Sequence, residues 1–179
     1  MSENTKLPFD GPKILSVVSL AVAALALGVL AASIFRSDLS GAGGPGGTGE
    51  PAIPISGTTS TGQEISLADY EGQVVVLDFW ATWCPPCVGK LPELIAVQEE
   101  YGDRGVQVIG VSGDRSVEDL RRMEDDRQIN FPTIFGGAEA ALRDYNIRAF
   151  PTIVIIDQNG QIVHRSHHGN VRREVERLL

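Results

Sequence analysis

The chain has 179 residues, of which 21% are charged and 42% hydrophobic, with a formal net charge of −8. That balance excludes a wholly disordered chain and a polytopic membrane protein. Lys6, Lys13 and Arg36 offset Glu3, Asp10 and Asp38, so the whole acidic excess lies between Glu50 and Leu179, which excludes the basic footprint of a nucleic-acid binder.

The first element is apolar. Ile14 to Phe35 is a run of 22 residues without a charge, roughly 33 Å long as a helix against a hydrocarbon core of about 30 Å. Cleavable signal peptides have shorter apolar regions, of about 7–15 residues, and Ala31-Ala32-Ser33 is a poor cleavage site. The pattern predicts an uncleaved transmembrane anchor over 14–35. Lys6 and Lys13 precede it, while Arg36 alone follows before Lys90, so flanking charge places residues 1–13 in the cytoplasm and the remainder outside. Residues 36–50, with the glycine-rich run Gly41 to Gly49, read as a flexible linker. Gly41, Gly43 and Gly46 match a dinucleotide fingerprint only on paper, because no strand precedes them and Pro45 interrupts the run.

Residues 51–179 are enough for one domain with its own core. Gly72 to Trp80 is a valine-rich apolar run, the pattern of a strand buried on both faces. Cys84 to Tyr101 has helical spacing, with Leu91, Leu94, Ile95 and Val97 apolar and Glu99 and Glu100 polar. Val106 to Val111 reads as a second buried strand. Ser116, with Asp119 three residues on, predicts a capped helix running to about Gln128. Ala138 to Tyr145 reads as a short helix. Thr152 to Asp157 and Gln161 to His167 read as a hairpin across the Asn159-Gly160 turn, and Asn170 to Leu179 as a closing helix. Strands alternating with helices and ending in an antiparallel hairpin predict an α/β domain with a mixed central sheet flanked by helices.

Cys84 and Cys87 are the chain's two cysteines, and they form Cys-Pro-Pro-Cys between a strand and a helix. That context points to redox exchange. The first sulfur, at a helix N-terminus, has its thiolate stabilised and acts as nucleophile; the second lies within reach to resolve a mixed disulfide. Cys84 is therefore the expected nucleophile and Cys87 the resolver. A zinc site would need two further ligands, and His164, His167 and His168 alternate faces of one strand. A purely structural disulfide would close too short a loop to add much stability. A peroxidatic cysteine pattern fails at Leu77 and Ala81, which stand where it requires proline and a hydroxyl residue. Trp83 adjoins the nucleophile and is expected to shape a substrate surface, with Trp80 in the core. The three histidines read as exposed strand residues.

The run Asp78-Phe79-Trp80-Ala81-Thr82-Trp83-Cys84-Pro85-Pro86-Cys87, with Pro92 beyond it, resembles the active-site segment of thioredoxin-fold proteins. It is most similar to membrane-anchored thiol–disulfide reductases of the TlpA/ResA type. The resemblance covers about Pro51 to Leu179, including the lead-in Gly62, Leu67 and Gly72-Gln73-Val74-Val75 and a strand–helix insertion before the last hairpin. It implies a thioredoxin-like fold, with a cis-proline facing the cysteines just before the penultimate strand. Two Phe-Pro-Thr tripeptides compete for that place, at Pro132 and Pro151; Pro151 alone is followed by strand, Asn-Gly turn and strand. A cis Pro151 would leave the backbone of Phe150 free to pair with an extended substrate beside Pro85 and Pro86.

Two positions depart from the family. Residue 78 is Asp, as in thioredoxins, where TlpA/ResA-type proteins more often carry Asn. Burial would raise its pKa and fit it to take the proton of Cys87, the alternative being a strand-end acid facing solvent. The stretch Val106 to Val111 lacks the lysine that thioredoxins place nearby, which would leave Asp78 without a compensating cation. Residue 90 is Lys where the family usually has Glu, and reads as a surface cation. Pro85 and Pro86 remove two backbone N–H donors from the Cys84 thiolate, which favours a reducing couple. The resemblance implies an extracytoplasmic reductase that takes electrons from a membrane thiol transporter and passes them to disulfides of exported proteins. In this family those substrates include apocytochrome c and copper-delivery proteins, although Thr152 stands where a cytochrome-dedicated branch shows Glu. No cofactor beyond the Cys84–Cys87 disulfide, no metal and no nucleic acid is expected. A disulfide-introducing oxidase and a redox-inert docking or chaperone module are the rival readings.

Overall fold

The structure is a computed structural model that describes residues 49–179. The predicted anchor over 14–35, and most of the predicted linker, lie outside the described residues. No helix among the described residues is long and apolar enough to cross a membrane.

In chain order the first half comprises β1 (Glu50–Pro51), β2 (Ser56–Thr59), β3 (Glu64–Ser66), a 3-10 turn (Leu67–Tyr70), β4 (Val74–Trp80) and α1 (Pro85–Tyr101). A second 3-10 turn (Gly102–Arg104) leads to β5 (Val106–Ser112), α2 (Val117–Arg127), β6 (Thr133–Gly136) and α3 (Ala138–Asp144). The chain closes with β7 (Thr152–Ile156), β8 (Gln161–Ser166) and α4 (Val171–Glu176). One eight-stranded sheet has the order β1-β8-β7-β4-β5-β6-β2-β3. β4, β5 and β6 are parallel neighbours and β7 is antiparallel to β4, so the sheet is mixed, as expected.

Every residue of β4 is buried, because helices cover both faces of the sheet. Val74, Val76 and Trp80 face Leu91, Leu94 and Val97 of α1. Val75, Leu77 and Phe79 face the opposite layer, with Ala138 and Ala141 of α3 and Tyr145. The two-residue period of a strand therefore turns Asp78 towards α1. That places a carboxyl inside the apolar layer directly behind the cysteine-bearing helix.

Three local details differ from expectation. Ser116 caps α2 by accepting from the Asp119 N–H at 3.1 Å, but Asp119 does not reach back; its carboxylate pairs with Arg122 at 3.3 Å. The last hairpin turns over three residues, with Gly160 at φ 74° and the Asp157 carboxylate accepting from the N–H groups of Asn159 and Gln161. This is the glycine-bulge turn rather than a two-residue one. The β2–β3 hairpin and β6 were not expected: Ser-Gly-Thr-Thr carries no apolar alternation, and β6 is four residues long. Both Phe-Pro-Thr tripeptides lead into strands, since Thr133 opens β6 and Thr152 opens β7. The cis bond lies at Phe150–Pro151.

Candidate active site

Cys84 is the N-cap of α1, in an extended conformation, with Pro85 and Pro86 in the first turn. Proline is tolerated there because its fixed φ suits the helix start and its missing N–H would have no helical partner. Cys84 and Cys87 form a disulfide, with Cα atoms 5.3 Å apart. The two sulfurs differ in access: Cys84 is 5% exposed and Cys87 0%. The Cys84 Sγ accepts from the Cys87 N–H at 3.3 Å. With two prolines between them, no other N–H of the intervening residues can do so.

Asp78 is completely buried, and neither of its oxygens has a hydrogen-bond partner. It is not a strand-end acid facing solvent. Burial pushes its carboxyl up to about 7, and the positive charge of Lys90 acts in the opposite direction. Its neighbours across the sheet are Gly110 of β5 and Ile153 of β7, neither of which brings a charge. The expectation that Asp78 lacks any compensating cation is thereby corrected, and so is the reading of Lys90 as a surface residue. Lys90 lies one turn past Cys87, its side chain 17% exposed and paired with Glu93 at 2.8 Å. Its Nζ also donates to the Gly169 carbonyl. Tertiary packing draws it inward, which helical spacing alone does not reveal.

The rim is aromatic and proline-rich. Trp83 is 66% exposed, Pro85 and Pro86 are exposed, and the Trp83 ring lies 5.8 Å from that of Phe150 in a tilted pair. Among the described residues no hydrogen bond engages the backbone N–H or C=O of Phe150. The Pro151 carbonyl sits 2.9 Å from the Nδ1 of His167. A carbonyl only accepts, so this nitrogen carries the proton. The same Nδ1 is 3.1 Å from the Thr152 hydroxyl, which donates to the Ala149 carbonyl at 2.7 Å. His167 and His168 lie beyond β8, and His167 is a support of the proline loop rather than a plain surface residue. His164 pairs with Ser166 at 2.9 Å. Among the described residues no group of three or more His, Cys, Asp or Glu is placed to hold a metal ion.

Two further residues escaped the sequence reading. Asp114 accepts from the Thr82 N–H at 3.1 Å, the Thr82 hydroxyl at 2.7 Å and the Ser112 hydroxyl at 2.8 Å, and so fixes the segment entering Trp83-Cys84. Gly113 lies beneath Phe150: a Cβ there would sit 2.5 Å from the Phe150 Cζ. The only signal was their place, immediately after a buried strand, where loop residues often serve a site. Gly113→Ala should displace the Phe150 ring and raise KM for peptide disulfides about tenfold, while leaving turnover of a small disulfide such as hydroxyethyl disulfide within about twofold. Parallel kinetics on the two substrates checks this.

A cysteine pair at a strand–helix junction, a buried carboxyl behind it and a cis-proline beside it are also what known proteins of this kind lead one to look for. The AhpC/TSA family profile matches residues 48–165. The thiol-disulfide oxidoreductase ResA of Halalkalibacterium halodurans is 32% identical over 160 residues, which is 89% of each chain. Thioredoxin-like protein YneN of Bacillus subtilis is 33% identical over 135 residues, covering 73% of this chain and 78% of that protein. Among solved structures, the thioredoxin domain of a thiol-disulfide oxidoreductase from Bacteroides vulgatus superposes with a TM-score of 0.67 at 29% identity, covering 72% of this chain and 94% of that one. A thiol:disulfide interchange protein from Chlorobium tepidum gives the same TM-score at 26% identity, covering 72% and 95%. The fold is thioredoxin-like, and the chain belongs to the AhpC/TSA family as a thiol–disulfide oxidoreductase of the ResA type.

Proposed function

We propose that this protein is a membrane-anchored, extracytoplasmic thiol–disulfide reductase acting on disulfides of exported proteins. The observation that carries the direction of electron flow is the poor hydrogen bonding around Cys84, whose sulfur receives one N–H, from Cys87, across two prolines. A weakly stabilised thiolate gives a couple that prefers to be oxidised, and hence a reductant. The alignment with the H. halodurans relative spans more residues than the described domain contains, so the likeness extends into the apolar N-terminal segment. The charge-free run Ile14 to Phe35 supports the anchor, and the flanking lysines the outside placement of the domain.

In the proposed cycle the reduced protein presents the Cys84 thiolate to a substrate disulfide held along Phe150 and Pro151. Attack forms a Cys84–substrate mixed disulfide and releases one substrate sulfur as thiolate. Asp78 takes the proton of Cys87, and the resulting thiolate attacks the Cys84 Sγ. The second substrate thiol leaves and the Cys84–Cys87 disulfide forms. Two electrons pass to the substrate, and a membrane thiol transporter restores them through a matching exchange. Trp83, Pro85 and Pro86 form the wall against which the substrate rests.

Equilibrating the full chain with thiol buffers tests this reading. A reduction potential of about −250 mV or lower is expected, near thioredoxin. A value near −120 mV, at the oxidising end, would replace the reductase with a disulfide-introducing oxidase.

A further inference from the structure

Two grooves flank the disulfide. One, of about 440 Å³, runs between Trp83, Cys84 and Phe150 and ends at Arg148. The other, of about 330 Å³, lies on the far side of Pro86 and Pro151 and is lined by Lys90, His167 and His168. Every ionisable side chain lining either groove, other than the cysteine, is basic, and no Asp or Glu lines them. The domain around them carries the chain's entire net charge of −8. The nearest acids stand behind the linings: Glu93 pairs with Lys90, Asp114 holds Thr82, and Asp119 and Asp126 lie beyond Trp83 with Arg122.

The two cations differ in how far they are satisfied. Arg148 is exposed, and its Nε donates to the Asn146 side chain at 3.0 Å. Among the described residues it has no carboxylate partner. Lys90 is paired with Glu93, but the Glu93 Oε1 is turned to the start of α4, accepting from the Val171 N–H at 2.6 Å. An ammonium has three donors; two go to Glu93 and the Gly169 carbonyl, and the third remains for an occupant of the groove. At about 0.1 M salt the screening length is about 10 Å. A segment lying in these grooves therefore feels Arg148, which has no carboxylate partner among the described residues, most strongly, with Lys90 partly offset by Glu93 and the remaining acids of the domain screened by distance.

We propose that the protein selects substrates whose reactive cysteine lies in an extended acidic segment. Carboxylates on one side of the cysteine would meet Arg148, and those on the other Lys90, His167 and His168. This rests on the reductase reading, since it names the class of disulfide which that site would take. Electrostatic complementarity of this kind acts mainly on the rate of encounter and on the rejection of like-charged partners.

The test uses the reduced full chain and three oxidised peptide dimers. Each has one cysteine flanked by two residues on either side: aspartates, serines or lysines. Reduction is followed by tryptophan fluorescence. The aspartate peptide should react roughly tenfold faster than the lysine peptide at low ionic strength, with serine between them. The gap should close in about 1 M salt. The pair Arg148→Glu and His168→Glu should invert the order, each rate being taken relative to the serine peptide. If the serine peptide is reduced but aspartate and lysine peptides react equally, the charge preference is overturned and the reductase reading stands. If no peptide is reduced, both fall.

Discussion

Cys84→Ser should reduce disulfide turnover to background, a loss of at least about 10³-fold, because the attacking sulfur is gone and Cys87 cannot substitute for it. Cys87 is fully buried in the first turn of α1, whereas Cys84 opens on the Trp83–Phe150 groove. A substrate disulfide can therefore reach the first sulfur and not the second. The complementary variant, Cys87→Ser, should accumulate a covalent Cys84–substrate adduct, since attack remains and resolution is lost. Non-reducing electrophoresis with mass spectrometry of the adduct separates the two outcomes. Adduct formation by Cys84→Ser through Cys87 would reverse the assigned roles. Measurable turnover in both variants would mean the exchange does not run through this pair.

Asp78→Asn should have two effects of opposite sign. Burial raises the Asp78 carboxyl from an ordinary 3.8 to about 7, so between those values the folded protein holds a proton that the unfolded chain has released. The contribution of this group to stability is then greatest below about pH 4, falls as the pH rises towards 7, and levels off above it. Ionising so deeply buried a carboxyl costs the wild type about 4 kcal/mol at pH 8. Asparagine never ionises and escapes this penalty. The urea midpoints of the two proteins should therefore lie together near pH 3.5, diverge towards pH 7 and run parallel above it, with the variant the more stable. Resolution of the mixed disulfide should slow by about 10²-fold in the same variant, because the group that takes the Cys87 proton is lost. Coincident stability curves would place the carboxyl in contact with water. An unchanged resolution rate would leave Asp78 as a buried acid outside the proton path.

Much of the architecture was legible in the chain because β4 and β5 are long enough to show their burial as continuous apolar runs. The helices bearing the cysteines and following Ser116 were equally plain, from spacing and caps. β2, β3 and β6 were not, since β2 is Ser-Gly-Thr-Thr and β3 (Glu-Ile-Ser) and β6 (Thr-Ile-Phe-Gly) are too short to show a period. β6 pairs with β5 and β2, strands distant from it in sequence, and no local pattern records that. Asp78 also shows where the boundary falls. Its identity and position in an apolar strand announced a perturbed acid, but only the packed sheet shows that Gly110 and Ile153 flank it and that the charge of Lys90 acts on it.

The proline loop divides in the same way. The motif around Pro151 marked it for a turn beside the cysteines, whereas the His167 contact, the Gly113 recess under Phe150 and the Asp114 bracket on Thr82 join residues that no local pattern links. What the sequence alone determined is the chemistry: two cysteines at the spacing of a redox pair, an acid behind them and the segments that carry each. The tertiary structure decided the environment of that chemistry: which sulfur is accessible, which cation's charge acts on the acid, and which charges line the approach. Reactivity resides in individual side chains, but solvent access and electric field are set by every group packed around them.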